Sequence, residues 1–191
     1  TGTNSERYGA AAVASATSSL AVGYDARATG TDGSTAIGSN SRAGQRSTAL
    51  GIGAVASGTN AVGLGRNAAS SGNSSIAIGN GTSATGTGSV AIGLTAQSLH
   101  NNSVVISPDS AVSTASGQFI VASTGGINDI FFGKGVSNAA PTGYTINGTS
   151  GSGTDIQGGN VTFAGGRGTG TGAGGDLVFS TAGAGGASNS T

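Results

Sequence analysis

The sequence predicts an all-β protein, a parallel β-solenoid wound in 14-residue coils. Three observations predict it. Gly30, Gly44, Gly58, Gly72 and Gly86 stand 14 residues apart without a slip. A branched apolar column, Leu50, Leu64, Ile78, Ile92, Ile106 and Ile120, keeps the same beat. Backwards it continues to Ile37, displaced by one residue, then Val22 and Tyr8. The residue before the branched one is small: Ala21, Ala36, Ala49, Gly63, Ala77 and Ala91. Self-similarity at a short fixed period marks stacked units, each too small to hold a core alone.

Fourteen residues at about 3.3 Å each give about 46 Å of extended chain, enough for two short strands and two tight turns. Ser75-Ile76-Ala77-Ile78-Gly79 reads as the first strand of a coil and Asn80-Gly81 as its turn. Thr82 to Thr85 reads as the second strand, and Gly86-Thr87-Gly88 turns the chain back. Equivalent strands then pair from coil to coil at about 4.8 Å. A coil this narrow has little internal room, so alanine and one branched residue per coil are expected to fill it. The branched column is thus the expected core: Val22, Ile37, Leu50, Leu64, Ile78, Ile92, Ile106 and Ile120. The glycine column supplies either positive φ at turns or close approach of two backbones. On either reading, a larger side chain at Gly58 or Gly72 is expected to cost more than a surface change.

Val, Leu, Ile and Phe make up only 34 of the 191 residues, a share at which disorder becomes a reading when charge is also high. Here seven basic residues balance seven acidic ones. A lone β-roll with so little apolar area is marginal. Burial between identical copies under closed rotational symmetry is the expected remedy.

The pattern divides the chain into four parts: β-roll repeats over 1–107, a transition β region over 108–142, a glycine-rich β region over 143–182 and a flexible tail over 183–191. All five Phe lie after residue 118. Gly158-Gly159-Asn160-Val161-Thr162-Phe163 returns 16 residues later as Gly174-Gly175-Asp176-Leu177-Val178-Phe179. Each copy reads as a short strand after a Gly-Gly corner. No window has helical apolar spacing with caps, and neither a signal peptide nor an 18-residue apolar run is present. The chain opens on Thr1 with no initiator Met and reads as a piece of a longer protein.

Chemistry-bearing residues are few. His100 is the single histidine and there is no Cys, which removes thiol nucleophiles, disulfides and thiolate metal sites. The acids Asp25, Asp32, Asp109, Asp129, Asp155 and Asp176 are scattered, with nothing in their spacing that suggests a catalytic carboxyl pair. No enzymatic activity, catalytic residue, cofactor or metal is therefore expected. Gly63-Leu64-Gly65-Arg66-Asn67-Ala68 mimics a dinucleotide-binding motif but has no helix behind it. Phe132-Gly133-Lys134-Gly135 lacks the rest of a P-loop. Gly151-Ser152-Gly153-Thr154-Asp155 looks like a calcium-binding repeat, yet it occurs once and Gln157 replaces the large apolar residue. Basic residues do not cluster and no arginine stripe follows the period, so nucleic acid is not an expected partner. The sequons at Asn73, Asn80 and Asn147 are expected by chance in so Ser/Thr-rich a chain.

Residues 19–107 resemble the head repeats of YadA-like trimeric adhesins. Ser34-Thr35-Ala36-Ile37-Gly38, Ser89-Val90-Ala91-Ile92-Gly93 and Ala54-Val55-Ala56-Ser57-Gly58 carry the resemblance. It implies a left-handed parallel β-roll with three copies about an axis. Asn128-Asp129-Ile130-Phe131-Phe132-Gly133-Lys134-Gly135 and the run from Gly158 to Gly170 resemble segments of bacteriophage tail-fibre and virion appendage proteins. No adhesin neck motif or coiled-coil stalk follows the repeats.

Together these readings predict a non-enzymatic, homotrimeric, extracellular fibre segment on a virion surface, a rigid spacer or a binder of a bacterial glycan or protein receptor. Other fibre or virion proteins are its further expected partners, with no membrane insertion. The alternative is the head of a bacterial trimeric autotransporter adhesin. A more distant one is an ice-binding solenoid, because Thr29-Gly30-Thr31 and Thr85-Gly86-Thr87 share a phase, although Ala43-Gly44-Gln45 and Ser71-Gly72-Asn73 interrupt the array. The candidate contact residues are exposed at turns: Tyr24, Asp25, Arg27, Arg42, Arg46 and Arg66.

Overall fold

The computed structural model describes residues 2–123, 125–127, 130, 143 and 145–179. Two compact units divide at residue 130. The first is the predicted solenoid. Its strands alternate between two parallel sheets: β1 (Glu6–Tyr8), β2 (Val13–Ala14), β3 (Leu20–Val22), β4 (Arg27–Ala28), β5 (Thr35–Ile37), β6 (Arg42–Ala43), β7 (Thr48–Leu50) and β8 (Val55–Ala56). The series continues with β9 (Val62–Leu64), β10 (Ala69–Ser70), β11 (Ile76–Ile78), β12 (Ser83–Ala84), β13 (Val90–Gly93), β14 (Gln97–Ser98), β15 (Val104–Ser107) and β16 (Phe119–Val121). The odd-numbered strands and β16 form a nine-stranded sheet, and the even-numbered strands from β2 to β14 form a seven-stranded one. There is no helix among the described residues.

Register explains the displaced Ile37. Thr35 pairs with Leu20, fifteen residues back, and with Thr48, thirteen residues ahead. The turn between β4 and β5 carries one residue more than its equivalents, and the turn between β6 and β7 one fewer. The two irregularities cancel, so neither sheet slips by a residue and exchanges its faces. The extra residue sits at the bridge between Thr17 and Asp32, beside Gly33 at φ +52°.

The interior differs from the expectation in one respect. Ala21, Ala36, Ala49, Ala77, Ala91 and Val105 are fully buried, facing Ala14, Ala28, Ala43, Ala56 and Ala84 from the other sheet. The branched column points the other way. Leu50, Leu64 and Ile106 are 41, 39 and 39% exposed, and Val22, Ile37, Ile78 and Ile92 are half-buried. Successive side chains on a strand point to opposite faces, so alanine and its branched neighbour cannot share the inside. Only Ile120 departs from the column, because its coil is longer and pairs it with Val105 on the inner line.

Buried hydroxyls close the turns from within. Ser19, Ser75 and Ser103 each donate to the carbonyl three residues back, at 2.7, 2.7 and 2.9 Å. Ser34 and Ser89, at the same station, have buried hydroxyls without a partner.

Two glycine columns do different work. At Gly58, Gly72 and Gly86 a Cβ would meet the backbone carbonyl of the next coil (Gly72, Gly86 and His100), and at Gly44 it would lie 2.9 Å from the Ser57 carbonyl oxygen. Gly30 has the same close approach, to the backbone of Gln45 and Gly44. This is close packing of backbones, with none of the five at positive φ. Positive φ belongs to Gly9, Gly23, Gly38, Gly51, Gly65, Gly79 and Gly93, at φ 120° to 139°. The tight turns use left-handed residues that are mostly not glycine, among them Asn40, Asn60, Asn67 and Asn102, in keeping with the tolerance of Asn for that region.

Arg7 occupies the inner line, in register with Ala21, and its Nη1 donates to the Ala12 carbonyl at 3.2 Å.

The expected segment boundary at residue 107 falls inside the solenoid, whose sheet continues through β16. In the second unit, the strands expected around Val161–Phe163 and Leu177–Phe179 are not formed among the described residues. Single backbone contacts replace ladders: Gly159 N donates to Thr149 O at 2.7 Å and Gly175 N to Gly166 O at 2.8 Å. A two-copy repeat supplies too few neighbouring strands for a stable sheet. Residues 183–191 and, apart from Ile130, the segment 128–135 lie outside the described residues.

Candidate functional site

From β1 to β14 each coil sends one strand to each sheet, so the solenoid has two outer faces of different chemistry. On the nine-stranded sheet two outward columns flank the inner alanine line. One runs Glu6, Leu20, Thr35, Thr48, Val62, Ile76, Val90, Val104, Phe119. The other runs Tyr8, Val22, Ile37, Leu50, Leu64, Ile78, Ile92, Ile106, Val121. Only Glu6, Thr35 and Thr48 interrupt an apolar band that is about 38 Å long at the spacing of paired strands. Every member is half-buried or exposed, and Phe119 is 71% exposed. A contiguous apolar band of this size marks an interaction surface.

The first of these columns was not foreseen in the sequence. Its signal is the triplet itself: in Ile76-Ala77-Ile78 and Val90-Ala91-Ile92 both flanking residues are large and apolar while the middle one is small. A half-buried strand with a polar outer face would not repeat that pattern.

On the seven-stranded sheet the outward column reads Val13, Arg27, Arg42, Val55, Ala69, Ser83, Gln97. It collects two of the candidate contact residues. Arg27 and Arg42 are register partners on adjacent strands, both exposed. Arg27 Nε donates to Asp25 Oδ1 at 2.8 Å, and its Nη2 lies 2.8 Å from the same oxygen. Tyr24, 63% exposed, and half-buried Asp25 stand on the corner leading into β4. Arg66 is exposed on the equivalent corner after β9, whereas Arg46 lies on the opposite corner in a left-handed conformation, φ 51°. The column carries one arginine pair that the period conceals: counted in fourteens Arg27 falls on Ser41, but the 15-residue coil sets it against Arg42.

Several other polar side chains make local hydrogen bonds. His100 Nδ1 lies 3.0 Å from Ser113 Oγ, which also accepts the Leu99 amide at 2.9 Å. Asp109 accepts from Ser107 and Ser123 through different oxygens, at 3.3 and 2.9 Å. The Tyr8 hydroxyl donates to Glu6 at 3.0 Å; that hydrogen bond and the adjacent negative charge hold its pKa above the usual tyrosine value. Asp155, in the calcium-like run, is exposed at φ 58°, and no group of three or more His, Asp or Glu among the described residues is arranged to hold a metal.

The family model of the YadA head domain repeat matches residues 9–41, 43–68, 56–82 and 84–106. The matched segments together span half of the chain and all but the ends of the solenoid. The chain belongs to the YadA head family. YadA heads are extracellular, surface-exposed and self-associate as trimers, which sets this chain among adhesin-like heads. None of the curated proteins compared with it matches the chain.

Proposed function

We propose that this YadA-type head is a non-enzymatic segment of a trimeric fibre on a virion, acting as a rigid spacer and as a contact with the bacterial surface. The observation that carries the trimeric part is the apolar band on the nine-stranded sheet. Three copies that turn these sheets to a common axis bury both branched columns and leave the seven-stranded sheets facing outward. At about 25 cal/mol per Å2 of apolar surface, this burial supplies the stability that an alanine-lined interior lacks. Three outward faces also multiply weak contacts into avidity.

The virion part rests on the resemblance of the glycine-rich segments to tail-fibre sequences. A bacterial trimeric adhesin head is the second reading, favoured by the family match. Antibody labelling separates them: label on purified particles supports the first, and label on uninfected cells supports the second. The trimer itself is tested by light scattering, where a mass of three times the 17.7 kDa chain is expected. A folded, monomeric species with the same circular dichroism overturns it.

A further inference from the structure

We propose that the outer face of the seven-stranded sheet, at Arg27 and Arg42, binds the carboxylate or sulfate groups of an anionic polysaccharide. The inference rests on the surface-head reading above and names the class of ligand for its outward face. Arg27 and Arg42 sit directly opposite one another on paired parallel strands, which brings their Cα atoms to about 4.8 Å. Like charges so placed repel and destabilise a sheet. The chain carries only seven basic residues, and two of them are stacked here by an inserted residue that breaks the strict period.

The surroundings suit an anion. Asp25 engages the Nε and Nη2 edge of Arg27, fixing the plane of the guanidinium. Arg42 has no ion pair among the described residues. A single oxyanion held between Arg42 and the Nη1 side of Arg27, the side Asp25 leaves open, would relieve the remaining repulsion and gain charge-assisted hydrogen bonds. The corner beside them offers more: Asn40, whose amide donates to the Tyr24 carbonyl at 2.8 Å, and the exposed ring of Tyr24. The column continues with the short side chains of Val55, Ala69 and Ser83, a flat surface on which an extended polymer can lie. Two stacked arginines and no continuing stripe are too few for the many phosphate contacts on which nucleic acid binding depends. A polysaccharide with repeated charges meets one such pair on each of three protomers, and avidity multiplies the weak single contact.

The test compares the full chain with the double variant Arg27→Ala, Arg42→Ala and with Ala69→Arg, which extends the pair two rungs along the column. Alanine and valine already occupy this column at Ala69 and Val55, so the double variant keeps the fold. Binding is measured on immobilised polygalacturonate, heparin, neutral dextran and duplex DNA at low salt, with the mass of each variant measured in parallel. Retention on polygalacturonate or heparin, absence from dextran, a tenfold or greater loss in the double variant and a gain in Ala69→Arg are expected. Retention on only one of the two acidic polymers identifies carboxylate or sulfate as the preferred group. Equal retention of wild type and double variant, no retention of a protein with intact trimer mass, or equal retention on DNA overturns the proposal. A monomer that still binds in an arginine-dependent way supports this site while overturning the trimer.

Discussion

The two sheets of the solenoid share coils, period and interior, yet their outer faces are opposites. The nine-stranded sheet presents paired columns of Val, Ile and Leu; the seven-stranded sheet presents Val13, Arg27, Arg42, Val55, Ala69, Ser83 and Gln97. A lone solenoid in water gains nothing from leaving one face so apolar. The difference teaches that the fold inside each protomer is closed by alanine, serine and backbone, which leaves the large hydrophobic residues to the association proposed above. Small residues let two sheets approach more closely than the roughly 10 Å usual between packed sheets, and the hydroxyls of Ser19, Ser75 and Ser103 satisfy turn carbonyls that would otherwise be buried unpaired.

The comparison breaks most severely on the inside. Ala77 is fully buried, in register with Gly63 and Ala91. Ala77→Leu is expected to overpack the coil and cost about 3 kcal/mol or more, read as a fall in thermal midpoint and loss of the cooperative transition. Gly79 stands at φ 131°, where a Cβ would meet the Gly93 carbonyl. Gly79→Ala is expected to cost about 1 to 3 kcal/mol from backbone strain, measured by denaturant unfolding.

On the outer face the prediction changes in kind. Leu64→Asp, on the exposed side of the same sheet, is expected to leave β-sheet circular dichroism intact while reducing the mass from three chains to one. Unchanged mass in Leu64→Asp combined with Ile78→Asp would show that the apolar band lies away from the axis.

Smaller effects sharpen the account of the turns. Thr95 is left-handed at φ 53° where the preceding coil has Gly81 at φ 67°. Thr95→Gly is expected to stabilise by up to about 1 kcal/mol, since a β-branched residue is strained there. At the edge strand, Tyr8 keeps its proton more tightly in the folded chain than in the unfolded one. Its contribution is therefore whole below the ordinary tyrosine pKa, about 10, and is lost as pH rises through the raised folded value. In Glu6→Gln the titration midpoint of Tyr8, followed by phenolate absorbance, is expected to fall.

Much of this was legible in the residues. The stations of strand and turn in Ser75 to Gly88 follow from alternation and glycine, and the structure places β11 and β12 at those stations. The strict beat of Gly58, Gly72 and Gly86 signalled a backbone approach, although in the sequence positive φ fitted equally; the structure separates the two columns. The pairing of Arg27 with Arg42 was hidden, because a fixed count of fourteen sets Arg27 against Ser41. The glycine-rich region misled in the opposite direction. Alternating apolar residues near Phe163 and Phe179 look like strands, but a strand needs a partner, and two copies of a repeat do not supply a ladder.

By itself the sequence determined the class, the period and the two-strand coil, because a 14-residue repeat of alternating small and branched residues has few other ways to pair its backbone. Alternation along a strand also puts alanine and its branched neighbour on opposite faces, which the expectation of both in the core overlooked. Which of the two is inside was decided only by the tertiary structure. Alternation is symmetric with respect to inside and outside, and the choice is made by the space between the sheets, which admits alanine and excludes a stacked column of leucine and isoleucine.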